Sequence, residues 1–500
     1  MIKITDQILK KQENFWNQCL FHPTDAIEDS WGKRILDRMA QDKAVQTVRI
    51  YTMLEDIVYT DENGKLQYDF RLSDLRLDYL LEKGYEILLA YAGMPDCIAA
   101  SVTGKTSVSK NKTRYKGKLF NTSAPKDYSL WEEVCYEYTR HNVERYGLDT
   151  AAKWYCQCFN EPDIPAFFLS ELPASSVKER LLEYCRLYEA FQRGIRRVSE
   201  KIPVGGPALA GNLEFLGGWL DDVRKKNLKL DFISLHNYGT DPISLNHKTE
   251  QICVENNIRK HRNYLKIIAN HGFQNTPIVI DEWGAATNGF YNREDCPDLM
   301  FRETEVFSAY FVKLIYELVY SEFKIAKLMI CLSGQHEMTE DFSGFRNFFT
   351  LHFIAKPIYN AYILASGLEE NFLKTETVRE DLFVLPTKSK RGDYAILLTY
   401  ASQNFKEDLP KITETLEFQE NIEGREVTIW CIDRHTTNPY RLYEQWEGKS
   451  MTEEQAAVLR KEGTLHPVKQ FVFSRLEEHS GKIRLSLTPN AVYLICVKGH

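Results

Sequence analysis

Over the first two-thirds of the chain, short apolar runs alternate with longer stretches whose apolar residues recur at helical spacing. The short runs read as buried strands and the long ones as amphipathic helices. Strands are expected at Phe15–Phe21, Val45–Thr52, Glu86–Ala92, from Trp154 to Asn160, and at Pro203–Leu209, Phe232–Tyr238, Pro277–Trp283 and Lys327–Ser333. Helices are expected around Trp31–Gln41, Tyr68–Lys83, Leu130–Tyr146, Ala174–Lys201, Phe215–Asn227, Glu250–Asn270 and Glu303–Phe323. Eight strands, each but the last followed by a helix, predict a closed (β/α)8 barrel. A doubly wound open sheet is the competitor, but no glycine-rich phosphate turn follows an early strand. Beyond about residue 365 the texture changes to strand-like segments separated by polar turns, interrupted by one helix, Thr452–Arg460, with a capping-box sequence. We therefore expect a catalytic barrel over residues 14–365 and an accessory antiparallel β-sandwich over 366–500, with residues 1–13 packing on the latter.

Candidate chemistry sits at two strand ends. The run WYCQCF ends in Asn160-Glu161-Pro162-Asp163, and Pro162 both stops the strand and biases Glu161 toward extended backbone. Three strands later, PIVIDEW ends in a second carboxylate, Glu282. Alternation along that strand sends Glu282 to one face and Val279, Asp281 and Trp283 to the other, so Asp281 is expected to point at the helices. Strand ends four and seven can face each other across a barrel mouth, where paired carboxylates perform retaining glycoside hydrolysis. In that reading Glu282 is the nucleophile, Glu161 the acid and then the base, and Asn160 a partner for a sugar hydroxyl. His236 and Tyr238, two apart at the end of the sixth strand, suit a sugar contact and a phenol orienting Glu282. Arg49, inside the second strand, suits a buried ion pair that keeps a carboxylate charged. Tyr51 and Trp283 are further candidates for the sugar site. The bland readings are solvated strand-end acids and a satisfied core histidine.

Composition narrows this only a little. A net charge of −7 and 43% hydrophobic residues describe an ordinary globular chain and give no reason to expect nucleic acid. No run is long and apolar enough to span a bilayer, and the N-terminus lacks the apolar core of a secretory signal. Eleven scattered cysteines, an odd number with no CxxC pair, read as reduced thiols of a cytoplasmic protein. No metal or cofactor is called for. Lys105–Lys118 carries six basic residues and no acid, a pattern that usually marks a solvated loop. It follows the third strand, over the mouth, where it could favour an acidic sugar.

Several motifs in order, TVRIYTMLED, RLDYLLEKGYEILLAYAGMP, SAPKDYSLWEE, the FNEPD stretch, VGGPALAG, FISLHNYGTDP, TPIVIDEWGA and DRHTTNPYRLYEQWEGKSMTEEQAAVLR, resemble glycoside hydrolase family 39, the β-xylosidases and α-L-iduronidases. The resemblance implies a retaining hydrolase without a cofactor, Glu161 as acid/base and Glu282 as nucleophile. It also implies sugar contacts from Asn160, His236, Tyr238 and Glu337. The chain departs from the xylosidases at Tyr51, where a His is usual, and at Ile330 and Gly334, where Trp and Asp are usual. Its loop SGFRNFF lacks an expected double glycine. These departures leave the mechanism intact and put xylose in question. The expected partner is carbohydrate, with no nucleic acid and no membrane, and self-association into a homo-oligomer is left open. A β-xylosidase is the default activity. An iduronidase-like, arabinose- or galactose-directed exo-glycosidase is the alternative, as is a carbohydrate-binding barrel that has lost catalysis.

Overall fold

A computed structural model of the chain describes residues 1–106, 115–117, 119–240, 252–287, 291–332, 335–377, 379–405, 408–446, 451–473 and 482–499. Eight parallel strands close a barrel in sequence order: β1 Gln18–Phe21, β2 Thr47–Tyr51, β3 Glu86–Tyr91, β4 Tyr155–Cys158, β5 Val204–Leu209, β6 Phe232–Thr240, β7 Ile278–Ala286 and β8 Ile325–Leu332. Around it run α1 Ser30–Gln41, α2 Arg71–Glu82, α3 Tyr128–Tyr146, α4 Val177–Val198, α5 Leu213–Lys225, α6 Val254–Asn270, α7 Glu305–Tyr320 and α8 Pro357–Ser366. The last helix was not expected. Its apolar run is short and opens on Pro357, which fits the first turn of a helix because that position needs no N–H partner.

Local chemistry explains where the helices begin. Ser176 and Glu179 form a capping box at α4, and Asn212 accepts the Phe215 N–H to start α5. The buried stripe of α4, including Tyr184, Tyr188, Phe191 and Ile195, repeats at helical spacing and faces the barrel wall. Tyr188 meets Trp219 of α5 edge to face at 5.2 Å. Inside the barrel, Leu88, Phe232, Val279 and Met329 form a separate apolar cluster. They fill the interior, so the barrel is a packed core and not a pore.

Apart from two small two-stranded ribbons, the remaining strands among the described residues form one nine-stranded mixed sheet. The expected sandwich takes this shape, antiparallel except where strand Ile2–Lys11 runs parallel to Ile412–Phe418. The same N-terminal strand pairs antiparallel with Asn371–Thr377. Leu385, Leu397, Val492 and Leu494 of the sheet join the core cluster of Phe311, Tyr359 and Tyr362, which seals sheet to barrel. Among the described residues no helix is long and apolar enough to cross a membrane.

Candidate active site

Glu161 follows β4 at the C-terminal mouth of the barrel. Its φ of 46° is left-handed, not extended as Pro162 led us to expect, and Phe159 two residues before is left-handed as well. Such backbone costs of order 1–3 kcal/mol per residue and persists only where neighbours hold it. Here the Glu161 N–H donates to Ala208 O at 3.0 Å. The Asp163 carboxylate accepts the backbone N–H groups of Ala210, Gly211 and Asn212 at 2.9–3.0 Å. Buried Asp163 thus pins the turn that carries Glu161 to the start of α5.

The second carboxylate arrives through a break in the pleat. Ile280 pairs with Leu235 and Glu282 with His236, so Asp281 is an extra residue opposite a single step of β6. A bulge of this kind shifts the facing of the residues beyond it. Asp281 and Glu282 consequently both point inward, and the alternation that sent Asp281 toward the helices is corrected. Trp283 is corrected too. It is fully buried on the outer side, stacked on Phe311 at 5.9 Å, and makes no part of a sugar site.

Arg49 ties these groups together from β2. Its Nη1 donates to Glu282 Oε1 at 2.8 Å, Nη2 to Asn160 Oδ1 at 2.7 Å and Nε to Gln157 Oε1 at 2.9 Å. Nη2 also lies 3.2 Å from Asp281 Oδ2, which accepts Gln157 Nε2 at 2.7 Å. From β6, Tyr238 donates its hydroxyl to Glu282 Oε2 at 2.6 Å. His236 Nδ1 meets Glu161 Oε1 at 2.8 Å, while Nε2 stands 3.5 Å from both Asp281 and Glu282. Asn160, Glu161, His236, Tyr238, Glu282 and Arg49 are therefore brought into one network.

A cavity of about 280 Å³ opens onto it, lined by Tyr51, Asn160, Glu161, Tyr238 and Glu282 together with His22, Lys260, Cys331 and Arg346. Glu337 lies half-buried after β8, outside that lining. Ile330 faces the outer core, and its neighbour Cys331 lines the cavity. Gly334 lies outside the described residues. Of the basic stretch, Lys105 pairs with Asp96 and Lys116 with Glu28; Lys110, Lys112, Arg114 and Lys118 lie outside the described residues.

Sequence reasoning missed His22 and Arg346. His22-Pro23 after β1 carries the same strand-end signal as Glu161-Pro162, and Arg346 is a single cation in an aromatic loop. Arg346 stacks over the Tyr238 ring at 5.1 Å. Its loop is clamped from below. Glu303 Oε1 accepts both the Gly344 N–H and Lys356 Nζ at 2.6 Å, and Arg302 Nη1 donates to Gly344 O at 3.0 Å.

Electrostatics split the two glutamates. Burial raises the Glu161 pKa, only partly offset by His236, so this carboxyl holds its proton above the usual range. Burial acts the same way on Glu282, but His236, Arg49, the Tyr238 hydroxyl and Arg346 outweigh it and pull the group down to about 2. Burial also opposes charge on His236, yet Glu282 and Asp281 raise its pKa well above the ordinary value. The two glutamates are driven apart, and the imidazole between them is favoured in its charged form. Glu161, His236 and Glu282 bring one donor atom each within 4.8 Å of one another, as a shared cation would require. With Arg49 on Glu282 and the imidazole itself charged, these donors fit proton sharing better than a metal.

A family model for glycosyl hydrolases family 39 matches residues 1–469. A β-xylosidase of Caldicellulosiruptor saccharolyticus is 25% identical over 98% of this chain and 96% of its own length. The α-L-iduronidase of Canis lupus familiaris is 26% identical over 55% of this chain and 40% of its own. Among solved structures, a monomeric β-xylosidase from Caulobacter crescentus CB15 superposes with a TM-score of 0.84 at 18% identity, covering 100% of this chain and 99% of that one. A family match that runs from the N-terminal strand through the barrel and into the sheet makes this chain a member of glycosyl hydrolase family 39, and therefore a glycosidase.

Proposed function

We propose a retaining exo-glycosidase that removes a single terminal sugar, with a β-xyloside as its default substrate. The observation that carries the mechanism is the short reach between the two glutamates, with one oxygen of each within 4.8 Å. Retaining enzymes hold their carboxyl groups about 5–5.5 Å apart, whereas inverting enzymes leave roughly 6.5–9.5 Å for a water. Glu282, ionised and aimed by Arg49 and Tyr238, attacks the anomeric carbon. Glu161 gives its proton to the departing oxygen. The Nδ1–H of His236 occupies Oε1 of Glu161, which leaves Oε2 to carry that proton. In the second half a water attacks the glycosyl ester and Glu161 takes its proton.

The cavity lies at the small end of ligand sites, roughly 300–1,000 Å³, which favours one sugar ring and exo action. The β-xylosidase relative supports xylose. A second reading rests on Arg346 and Lys260, two cations in the lining of the cavity. A sugar bearing a carboxylate would fit them, as the iduronidase relative suggests. A nitrophenyl glycoside panel of xylose, arabinose, galactose, fucose and uronic acids decides between the two, and Arg346→Met should cost uronide turnover far more than pentoside turnover. Proton NMR of the first-formed sugar tests the mechanism, and an inverted anomer would sink it. Residues 14–365 form the catalytic unit in this proposal, with 366–500 and 1–13 bracing it. Eleven free thiols support a reducing, cytoplasmic setting.

A further inference from the structure

Asp281 is a carboxylate that the two half-reactions leave without a task. It is completely buried and points into the barrel in step with Val279, while the bulge in β7 brings Glu282 in beside it. A residue of this kind costs several kcal/mol to bury unless it is paired. Its Oδ2 receives Gln157 at 2.7 Å and Arg49 at 3.2 Å, and stands 3.5 Å from His236 Nε2. The same imidazole nitrogen stands 3.5 Å from Glu282 Oε1, and the opposite nitrogen meets Glu161 at 2.8 Å. His236 is therefore held between two anions on one edge and the acid/base on the other. The Tyr264 hydroxyl binds its backbone carbonyl at 3.0 Å and not its ring.

The two anions differ over the reaction cycle. Glu282 ceases to be charged once it is esterified to the sugar, whereas Asp281 forms no bond to the sugar and remains a carboxylate. We propose that Asp281 is a positioning residue for the second half-reaction: it keeps His236 protonated while Glu282 is an ester, so that Glu161 is presented as an ionised base. In that step the water oxygen bonds to the anomeric carbon. The bond from that carbon to the Glu282 oxygen breaks, its electron pair returning to the carboxylate, and the water's proton passes to Glu161. A cation hydrogen-bonded to Glu161 favours the ionised form that this transfer needs. Arg49, on the other side of Asp281, donates to Glu282, Asn160 and Gln157. Burial works against the charged imidazole, and Glu282, Asp281 and Glu161 each oppose that effect; once Glu282 is an ester, Asp281 and Glu161 remain.

The inference rests on the retaining reading. Its test compares wild type with Asp281→Asn, which keeps the shape and removes the charge. The probe is the dinitrophenyl glycoside of whichever sugar the panel shows to be turned over fastest. Rapid mixing should show the first step changed by less than tenfold and the second slowed roughly 100-fold, at the low end of general base effects. Dinitrophenolate would then appear as a burst equal to the enzyme, followed by slow turnover. Added azide, a nucleophile that needs no base, should restore the second step. Equal losses in both steps, or no loss, would overturn the proposal. A measurement on wild type guards against a variant that folds poorly. With Glu282 trapped by the matching 2-fluoro glycoside, nitrogen-15 spectra should show both His236 ring nitrogens protonated at neutral pH, assigned by their loss in His236→Gln. A neutral ring in the trapped ester would also overturn it. Failure of the retaining reading looks different: no covalent ester is trapped by mass, and the product anomer is inverted.

Discussion

At the base of the barrel Lys327 reaches Thr47 and Glu86 at 3.0 Å and Gln18 at 3.4 Å; at the mouth Arg49 reaches Glu282, Asn160 and Gln157 at 2.7–2.9 Å. Each is an inward-facing cation of the barrel with a carboxylate partner. The base even has the larger cavity, about 600 Å³ against 280 Å³, lined by Phe15, Pro277, Ile278, Ile325 and surface lysines. What differs is the surplus of charge. The base cluster pairs one cation with one half-exposed carboxylate and closes. The mouth gathers Arg49, Arg346 and His236 around Asp281, Glu282 and Glu161, on backbone held left-handed at Phe159 and Glu161. Cavity size therefore does not mark the chemistry here. Unequal charges forced together do, as expected of the C-terminal face of such barrels.

The sharpest way to break this contrast is at the mouth. Glu282→Gln should lower kcat by roughly 10⁴-fold or more, because in the proposed mechanism it removes the anion that attacks the anomeric carbon. Activity within tenfold of wild type would reassign the nucleophile. Glu161→Ala should cost about 10²–10⁴-fold on sugars with poor leaving groups and far less on dinitrophenyl glycosides, which leave unaided. A uniform loss across leaving groups would deny it the acid role. Tyr238→Phe is milder. It removes one hydrogen bond to the Glu282 anion, worth about 1.5–3 kcal/mol, so the pKa of Glu282 should rise by roughly one to two units. Since Glu282 must be ionised to attack, the acidic limb of kcat/KM should move to higher pH. A limb that stays put would mean the phenol does not hold the nucleophile.

The parts legible in the sequence share a physical reason. The barrel strands are buried on both faces and read as continuous apolar runs, so their order and the carboxylates at their ends, Glu161 and Glu282, could be placed in advance. Facing within a strand was less secure. Period-two alternation assumes an unbroken pleat, and one extra residue at Asp281 in β7 turned that assignment over. The left-handed φ of Glu161 was hidden for a related reason, since Pro162 sets only a local preference and Asp163, held by three backbone N–H groups, overrides it. Arg346 was beyond reach because a loop's direction depends on what clamps it. The clamp, Glu303 and Lys356, lies at the ends of α7 and α8, and its Glu303 half is far from Arg346 in the chain.

The smallest effect belongs to the base, and it sharpens the contrast by its smallness. Lys327→Met should leave kcat unchanged and cost about 1 kcal/mol or less, since the Glu86 side chain is 48% exposed and water screens the pair. Burial raises the Glu86 pKa, but Lys327 and Thr47 outweigh it and hold it below the usual value. A carboxyl depressed in the folded state adds stability above its unfolded pKa of about 4.3, and that stability is lost as pH falls through the folded value. Urea melts should then separate wild type from Lys327→Met at neutral pH and bring them together in acid. If the variant instead lost tenfold in kcat at full stability, the base would be coupled to the chemistry and the division between the two ends would fail.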